Sequence, residues 1–257
     1  MPRLAVTFFA ILLAVGCSPK KHDSGDGKAI RVAAASDLAR AFDDVGKAFE
    51  KKTGIKPTFD FGSSGLLAKQ IEQGAPFFLY AAASKTFVDQ VVKSGKCDGA
   101  TAALYSRGRL VLWGKNGVPA KLTDLVDPKY KRIGIANPDH APYGKAAVEV
   151  MQKAGIYDQL KDRLVLGENI QATMTYAREG SVDIAFVALS LAIANDTTNY
   201  TSVDLDLHAP LEQTLVVCGQ GKEADAAREL AKFITGDEGR SIMEKYGFST
   251  TGVLPTK

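Results

Sequence analysis

Two short segments of this 257-residue chain carry the residue types needed to hold an anion. Ile30-Arg31-Val32-Ala33-Ala34-Ala35-Ser36-Asp37-Leu38 is an apolar run that stops at Ser36, and Phe59-Asp60-Phe61-Gly62-Ser63-Ser64-Gly65 stops at a pair of serines. Apolar residues at helical spacing follow each: Leu38, Phe42, Val45 and Phe49 after the first, Leu66, Leu67 and Ile71 after the second. A strand that ends in Ser at a helix start offers a hydroxyl and unpaired backbone N–H groups. Two such ends brought together make a neutral, donor-rich anion site, favoured further by the positive ends of the helix dipoles. The plainer alternative is that Ser36 and Ser64 only cap their helices. Gly62 and Gly65, which permit close backbone approach, weigh toward a site.

Two more helix starts share this character. Ile133-Gly134-Ile135-Ala136-Asn137-Pro138 closes on a turn signal and runs through Asp139 and His140 into a helix with Tyr143 and Gly144 near its start. Val165-Leu166-Gly167-Glu168-Asn169 leads to Ile170, with Asn169 a natural N-cap and Ile170 in the first turn. Catalytic readings are weaker. Gly62-Ser63-Ser64-Gly65 brings its second Gly one residue too early for a G-x-S-x-G nucleophile elbow. Tyr143-Gly144-Lys145-Ala146 lacks the upstream Gly and the Ser/Thr after Lys of a P-loop. Of the three histidines, His22, His140 and His208, only His140 is placed to serve a Ser/His hydrolase, and a loop His beside a helix start is ordinarily a turn or surface residue. No cluster has metal-ligand spacing, so neither a cofactor nor a metal cation is expected.

These segments must be carried on α/β layers, because short β-like runs alternate with helical patterns from residue 29 onward. Strands are predicted at Ile30–Ala35, Pro57–Gly62, Phe78–Ala82, Arg109–Trp113, Ile133–Asn137, Leu164–Leu166, Ile184–Ala188 and Leu215–Cys218. Helices are predicted after Ser36 and Ser64 and at Ser84–Ser94, Lys145–Ala154, Ile156–Lys161, Ile170–Glu179, Lys222–Thr235 and Gly239–Tyr246. Arg109–Trp113 and the strand after Asp204–Pro210 read as crossovers between two lobes around a cleft. Residues 29–108 and 207–257 then form lobe I and 109–206 lobe II.

Ahead of the fold, Met1–Cys17 has the charged start, apolar middle and small-residue end of a secretory signal, too short to span a bilayer comfortably. It ends Ala14-Val15-Gly16-Cys17, which resembles the cleavage box of bacterial lipoproteins, so Cys17 is expected to be lipidated, with ordinary signal cleavage or an uncleaved anchor as the alternatives. Residues 18–28 read as a flexible tether. Apolar content of 46% and charged content of 24% are ordinary for a globular protein. A net charge of +3, with no Lys/Arg run, argues against nucleic acid as a partner. Cys97 and Cys218 fit neither a CxxC nor a zinc site, and on sequence grounds they pair or stay apart.

Several stretches together resemble the molybdate-binding proteins of bacterial ABC importers. They are Val32–Leu38, Phe61–Pro76, Gly108–Trp113, Ala136–Gly144, Phe186–Ser190 and Tyr246–Phe248, spread from about Ile30 to Phe248. The resemblance implies a two-lobed, type II periplasmic binding protein, each lobe a mainly parallel sheet flanked by helices, with the ligand cleft between lobes. It implies molybdate or tungstate as ligand, held by Ser36 and Ser64 through hydroxyl and N–H and by Tyr143 and Ile170 through backbone N–H. It also implies an inner-membrane ABC permease with its ATPase as partner, a lipid-anchored location in the cell envelope, and a monomer. Two positions depart from the common pattern: Phe77-Phe78 replaces an Ala-Asp pair, and Ala188 stands where many members place a ligand Tyr. The fifth ligand is therefore open, with Ser63 and Ser190 as the candidates. Sulfate, phosphate or a small organic acid is the alternative ligand.

Overall fold

Alternation along β1 (Ala29–Ala35) decides how the first half of the molecule is layered. Ile30, Val32 and Ala34 join one apolar cluster with Phe42, Val45 and Phe49, while Ala33 joins a second with Leu67, Ile71, Val88 and Val91. Helices therefore cover both faces of the sheet, as expected for an α/β layer. The computed structural model describes residues 29–195 and 198–250; the signal, the tether and Cys17 lie outside the described residues.

In chain order the elements are β1, a 3₁₀ turn Ser36–Leu38, α1 (Ala39–Thr53), β2 (Lys56–Gly62), α2 (Ser64–Glu72), β3 (Leu79–Ala82), α3 (Lys85–Lys93), β4 (Cys97–Gly108), β5 (Leu110–Trp113), β6 (Ile133–Ala136), α4 (Pro142–Lys153), α5 (Tyr157–Leu160), β7 (Leu164–Gly167), α6 (Ile170–Glu179), β8 (Ile184–Ala188), α7 (Leu189–Ala194), β9 (Tyr200–Ser202), β10 (Leu211–Cys218), α8 (Lys222–Thr235) and α9 (Asp237–Lys245). Two five-stranded sheets result, ordered β2-β1-β3-β10-β4 and β7-β6-β8-β5-β9. The chain passes from one to the other at Arg109 and returns between β9 and β10. Among the described residues, no helix is long and apolar enough to cross a membrane.

Each sheet is mixed, where mainly parallel sheets were expected. β2, β1 and β3 run parallel, as do β7, β6 and β8, but β10 and β5 enter antiparallel to their neighbours. The reason is topological: both strands arrive directly from the other lobe instead of through a helical crossover within their own sheet, which is what a parallel neighbour requires. Pairing β10 to β4 over a long antiparallel ladder brings Cys97 opposite Cys218, and the two form a disulfide. It closes a loop spanning 121 residues of sequence, for which chain-entropy arguments give about 2–5 kcal/mol of stabilisation.

β4 was not predicted, because its outer half, Asp98-Gly99-Ala100-Thr101, is largely exposed and reads as a turn. α7 was also missed, since Leu189-Ser190-Leu191-Ala192 continues the apolar run of β8 without a break in composition. α4 begins at Pro142, earlier than predicted, with the proline at the helix start where its missing N–H costs nothing.

Candidate functional site

Five strand ends meet in a small cavity between the two sheets. Its wall is formed by Ala35, Ser36 and Asp37 after β1, Gly62, Ser63 and Ser64 after β2, Ala83 after β3, Ala141, Pro142 and Tyr143 after β6, and Ile170 after β7. The space open to a water-sized sphere is about 10 Å³, far below the ~300–1,000 Å³ usual for organic ligands. A larger, open groove bordered by Ser84–Phe87, Lys145, Glu149 and Glu212 shares only Ala83, Ala141 and Pro142 with it. The smaller cavity is the candidate site because the helix starts converge there.

Local hydrogen bonding leaves the expected donors available. Neither Ser36 nor Ser64 caps its own helix: the turn at Ser36 follows Ala35, α2 is preceded by Ser63, and neither start has a side-chain cap. Ser64 Oγ accepts a hydrogen bond from the Ala83 backbone N–H at 3.1 Å, which leaves its own hydrogen to be donated. The Ser64 carbonyl is fixed by the Tyr80 hydroxyl at 2.6 Å. Asn169 Oδ1 caps α6 by accepting from Ala172 N at 3.0 Å, so Ile170, at the first helical position, keeps an unpaired N–H. Tyr143 is the second residue of α4 and its backbone N–H likewise lies ahead of the first intrahelical bonds. Ser36, Ser64, Tyr143 and Ile170 are all buried, and the structure brings the four together.

Ser63 and Ser190 are engaged elsewhere. Ser63 Oγ donates to the His140 carbonyl at 2.6 Å and lies 2.7 Å from His140 Nδ1. A hydroxyl has one hydrogen, so both contacts are satisfied when Nδ1 carries its proton and donates to Oγ. Gly65 N donates to the same carbonyl at 2.9 Å. A Cβ at Gly65 would lie 2.9 Å from His140 Cβ, so glycine is what lets the loop after β6 seat on the start of α2. Ser190 Oγ donates to the Asp37 carbonyl at 2.7 Å, and Ser190 is absent from the cavity wall. Both serines therefore tie one half of the molecule to the other.

Sequence reasoning missed Asp37. Its carboxyl is fully buried in the wall, with Oδ2 accepting from Tyr143 Oη at 2.9 Å and from Gln213 Nε2 at 2.6 Å, while Oδ1 has no partner. Burial pushes its pKa up from 3.8 to about 6, against the lowering effect of those hydrogen bonds. Burial, and then the Asp37 charge, hold the Tyr143 phenol well above its ordinary range. Gly108 makes room for that phenol, since a Cβ there would collide with the Tyr143 hydroxyl. The signal available was an acidic residue directly after Ser36, at a strand end read as neutral.

A two-lobed α/β fold with a small, donor-lined cavity between the lobes defines a solute-binding protein. The family of bacterial extracellular solute-binding proteins matches residues 30–249. The chain is 34% identical to the molybdate-binding protein ModA of Rhodobacter capsulatus over 221 residues, 85% of this chain and 87% of that one. It is 32% identical to the ModA of Azotobacter vinelandii over 255 residues, covering 96% and 97%. The solved structure of the Azotobacter vinelandii periplasmic molybdate-binding protein superposes with a TM-score of 0.81 at 24% identity, covering 88% of this chain and all of that one, which speaks to the fold. The chain belongs to the ModA family of bacterial extracellular solute-binding proteins.

Proposed function

We propose that this protein captures molybdate or tungstate outside the cytoplasm and presents it to an inner-membrane ABC permease and its ATPase. The observation that carries the reading is the convergence of four helix or turn starts on one small cavity, with no Lys, Arg or His among the residues of its wall. Ser36 and Ser64 donate hydroxyl and backbone hydrogens, and Tyr143 and Ile170 donate backbone hydrogens. Each charge-assisted bond contributes about 1.5–3 kcal/mol, so several of them in a dry site offset the desolvation of a dianion. The bonds run to oxide oxygens, and no residue is a ligand of the metal itself.

Residues 29–108 with 207–257 act as one lobe and 109–206 as the other, closing on the ligand. Support comes from the two sheets, one built of β1–β4 with β10 and the other of β5–β9. A transporter can prefer the liganded shape only because ligand binds the closed form better than the open one. The site is complete within one chain, which fits a monomer, and Cys17 serves as the lipidated attachment point at the membrane. Binding, and not hydrolysis, is the activity: His140 faces Ser63, whose hydroxyl is spent on the His140 carbonyl.

Native mass spectrometry of the purified protein with molybdate, tungstate, sulfate and phosphate, paired with small-angle scattering, tests this reading. One molybdate or tungstate per chain, together with a more compact liganded form, is expected. No oxyanion adduct, or an unchanged shape at saturation, overturns it.

A further inference from the structure

Asp37 poses an electrostatic problem that the oxyanion reading does not resolve. Asp37 is one of the residues around the same cavity as Ser36, Ser64, Tyr143 and Ile170, and a dianion bound there would lie near a buried carboxylate with no cation beside it. The surroundings supply none. From α4 the group facing it is the Tyr143 hydroxyl, from β10 the neutral Gln213 amide, and from β4 the buried Tyr105, whose own hydroxyl has no partner. α7 has no ionisable residue, and the charged residues of α6, Arg178 and Glu179, are exposed. Those of α1 are exposed or half-buried, and Asp60 of β2 pairs outside with Arg31 at 2.6 Å. Arg107 of β4 lies 3.8 Å from Glu212 of β10, both partly exposed.

Building on the oxyanion reading, we propose that each dianion enters this site together with one proton, taken up from solvent onto Asp37. The geometry fixes where it sits. Oδ2 already receives two donated hydrogens, from Tyr143 and Gln213, so a proton there would face both of them; Oδ1 has no donor against it and takes the proton. Before binding, burial outweighs the hydrogen bonds and has raised the carboxyl to about 6, so at pH 7.5 it is almost wholly ionised. A neighbouring dianion in a dry site raises it further, because like charges disfavour the ionised form. Binding and protonation are then linked: the affinity for a dianion falls about tenfold for each pH unit above the unliganded pKa, until the pKa of the liganded form is passed. An exported protein meets external pH directly, so this linkage makes capture strongest in mildly acid surroundings.

Calorimetry of the full protein with sodium molybdate at pH 7.5, in two buffers of different ionisation heat, counts the protons. Close to one proton taken up per anion is expected, with affinity falling about tenfold from pH 7 to pH 8. Asp37→Asn should bind with no proton uptake and a flat pH profile over that range. Should that variant not fold, difference infrared spectroscopy of the unaltered protein is the second readout, and a carboxylic-acid carbonyl band should appear on adding molybdate. Molybdate binding with buffer-independent heat and no such band overturns the proposal while leaving the oxyanion reading intact. No binding of molybdate at any pH overturns the oxyanion reading itself, and this inference with it.

Discussion

The Tyr143 hydroxyl donates to Asp37 Oδ2 at 2.9 Å, joining two fully buried residues 106 positions apart, one in the turn after β1 and the other at the start of α4. Tyr143 thus has two duties: its backbone N–H opens α4 at the cavity, and its phenol bridges to the turn that carries Ser36. Tyr143→Phe deletes the bridge and keeps the N–H. It should weaken molybdate binding by about 1–3 kcal/mol, mainly through faster release, because the bond ties the halves together in the closed form. Stopped-flow dissociation checks this; an unchanged release rate would show the bridge to be idle.

Ser36→Ala and Ser64→Ala each remove a hydroxyl but leave a backbone N–H. Each should cost about 1.5–3 kcal/mol of binding free energy, tenfold to more than a hundredfold in affinity. Ser64→Ala should be the more damaging to the fold, since it also strands the buried Ala83 N–H that Ser64 Oγ receives. Isothermal titration and thermal unfolding separate the two effects.

The contact between Ser63 and His140 predicts an asymmetry. Ser63→Ala loses the bond to the His140 carbonyl, whereas His140→Ala keeps that carbonyl and loses only the ring contact. Ser63→Ala should therefore weaken binding several-fold and His140→Ala little, with the oxyanion ranking unchanged in both. A changed ranking in Ser63→Ala would return Ser63 to the anion's own shell.

Asp37 should also mark the pH dependence of folding. Its pKa in the fold, about 6, lies above the ordinary 3.8, so the stability it lends is fully present below about pH 4 and is lost as pH rises through about 6. About two pKa units correspond to about 3 kcal/mol. Asp37→Asn should accordingly gain up to about 3 kcal/mol on the unaltered, unliganded protein between pH 4 and pH 8. Denaturant unfolding at both pH values measures the gain, and a gap that does not change with pH would place the carboxyl in a wetter setting.

What was legible in the sequence was local. Ser36, Ser64 and Asn169 stand at changes of hydrophobic period, and such changes mark strand-to-helix junctions whatever the tertiary structure. Asn169 does cap α6 as its position suggests. Contacts that join distant segments left no local mark. Ser63 with His140, Ser190 with Asp37 and Gln213 with Asp37 are separated by 77, 153 and 176 residues, and nothing in the spacing of either partner announces the other. β4 was hidden for a related reason: its outer half is ordered by pairing with β10, far along the chain, and not by its own composition.

Competition calorimetry across oxyanions tests the central claim most directly. A cavity that holds an ion by many fixed donors discriminates by size, because a smaller anion of the same shape leaves donors unpaired in a dry site. Molybdate and tungstate should bind together at the top, well above sulfate and phosphate; sulfate, phosphate or a carboxylic acid binding tightest would contradict the assignment.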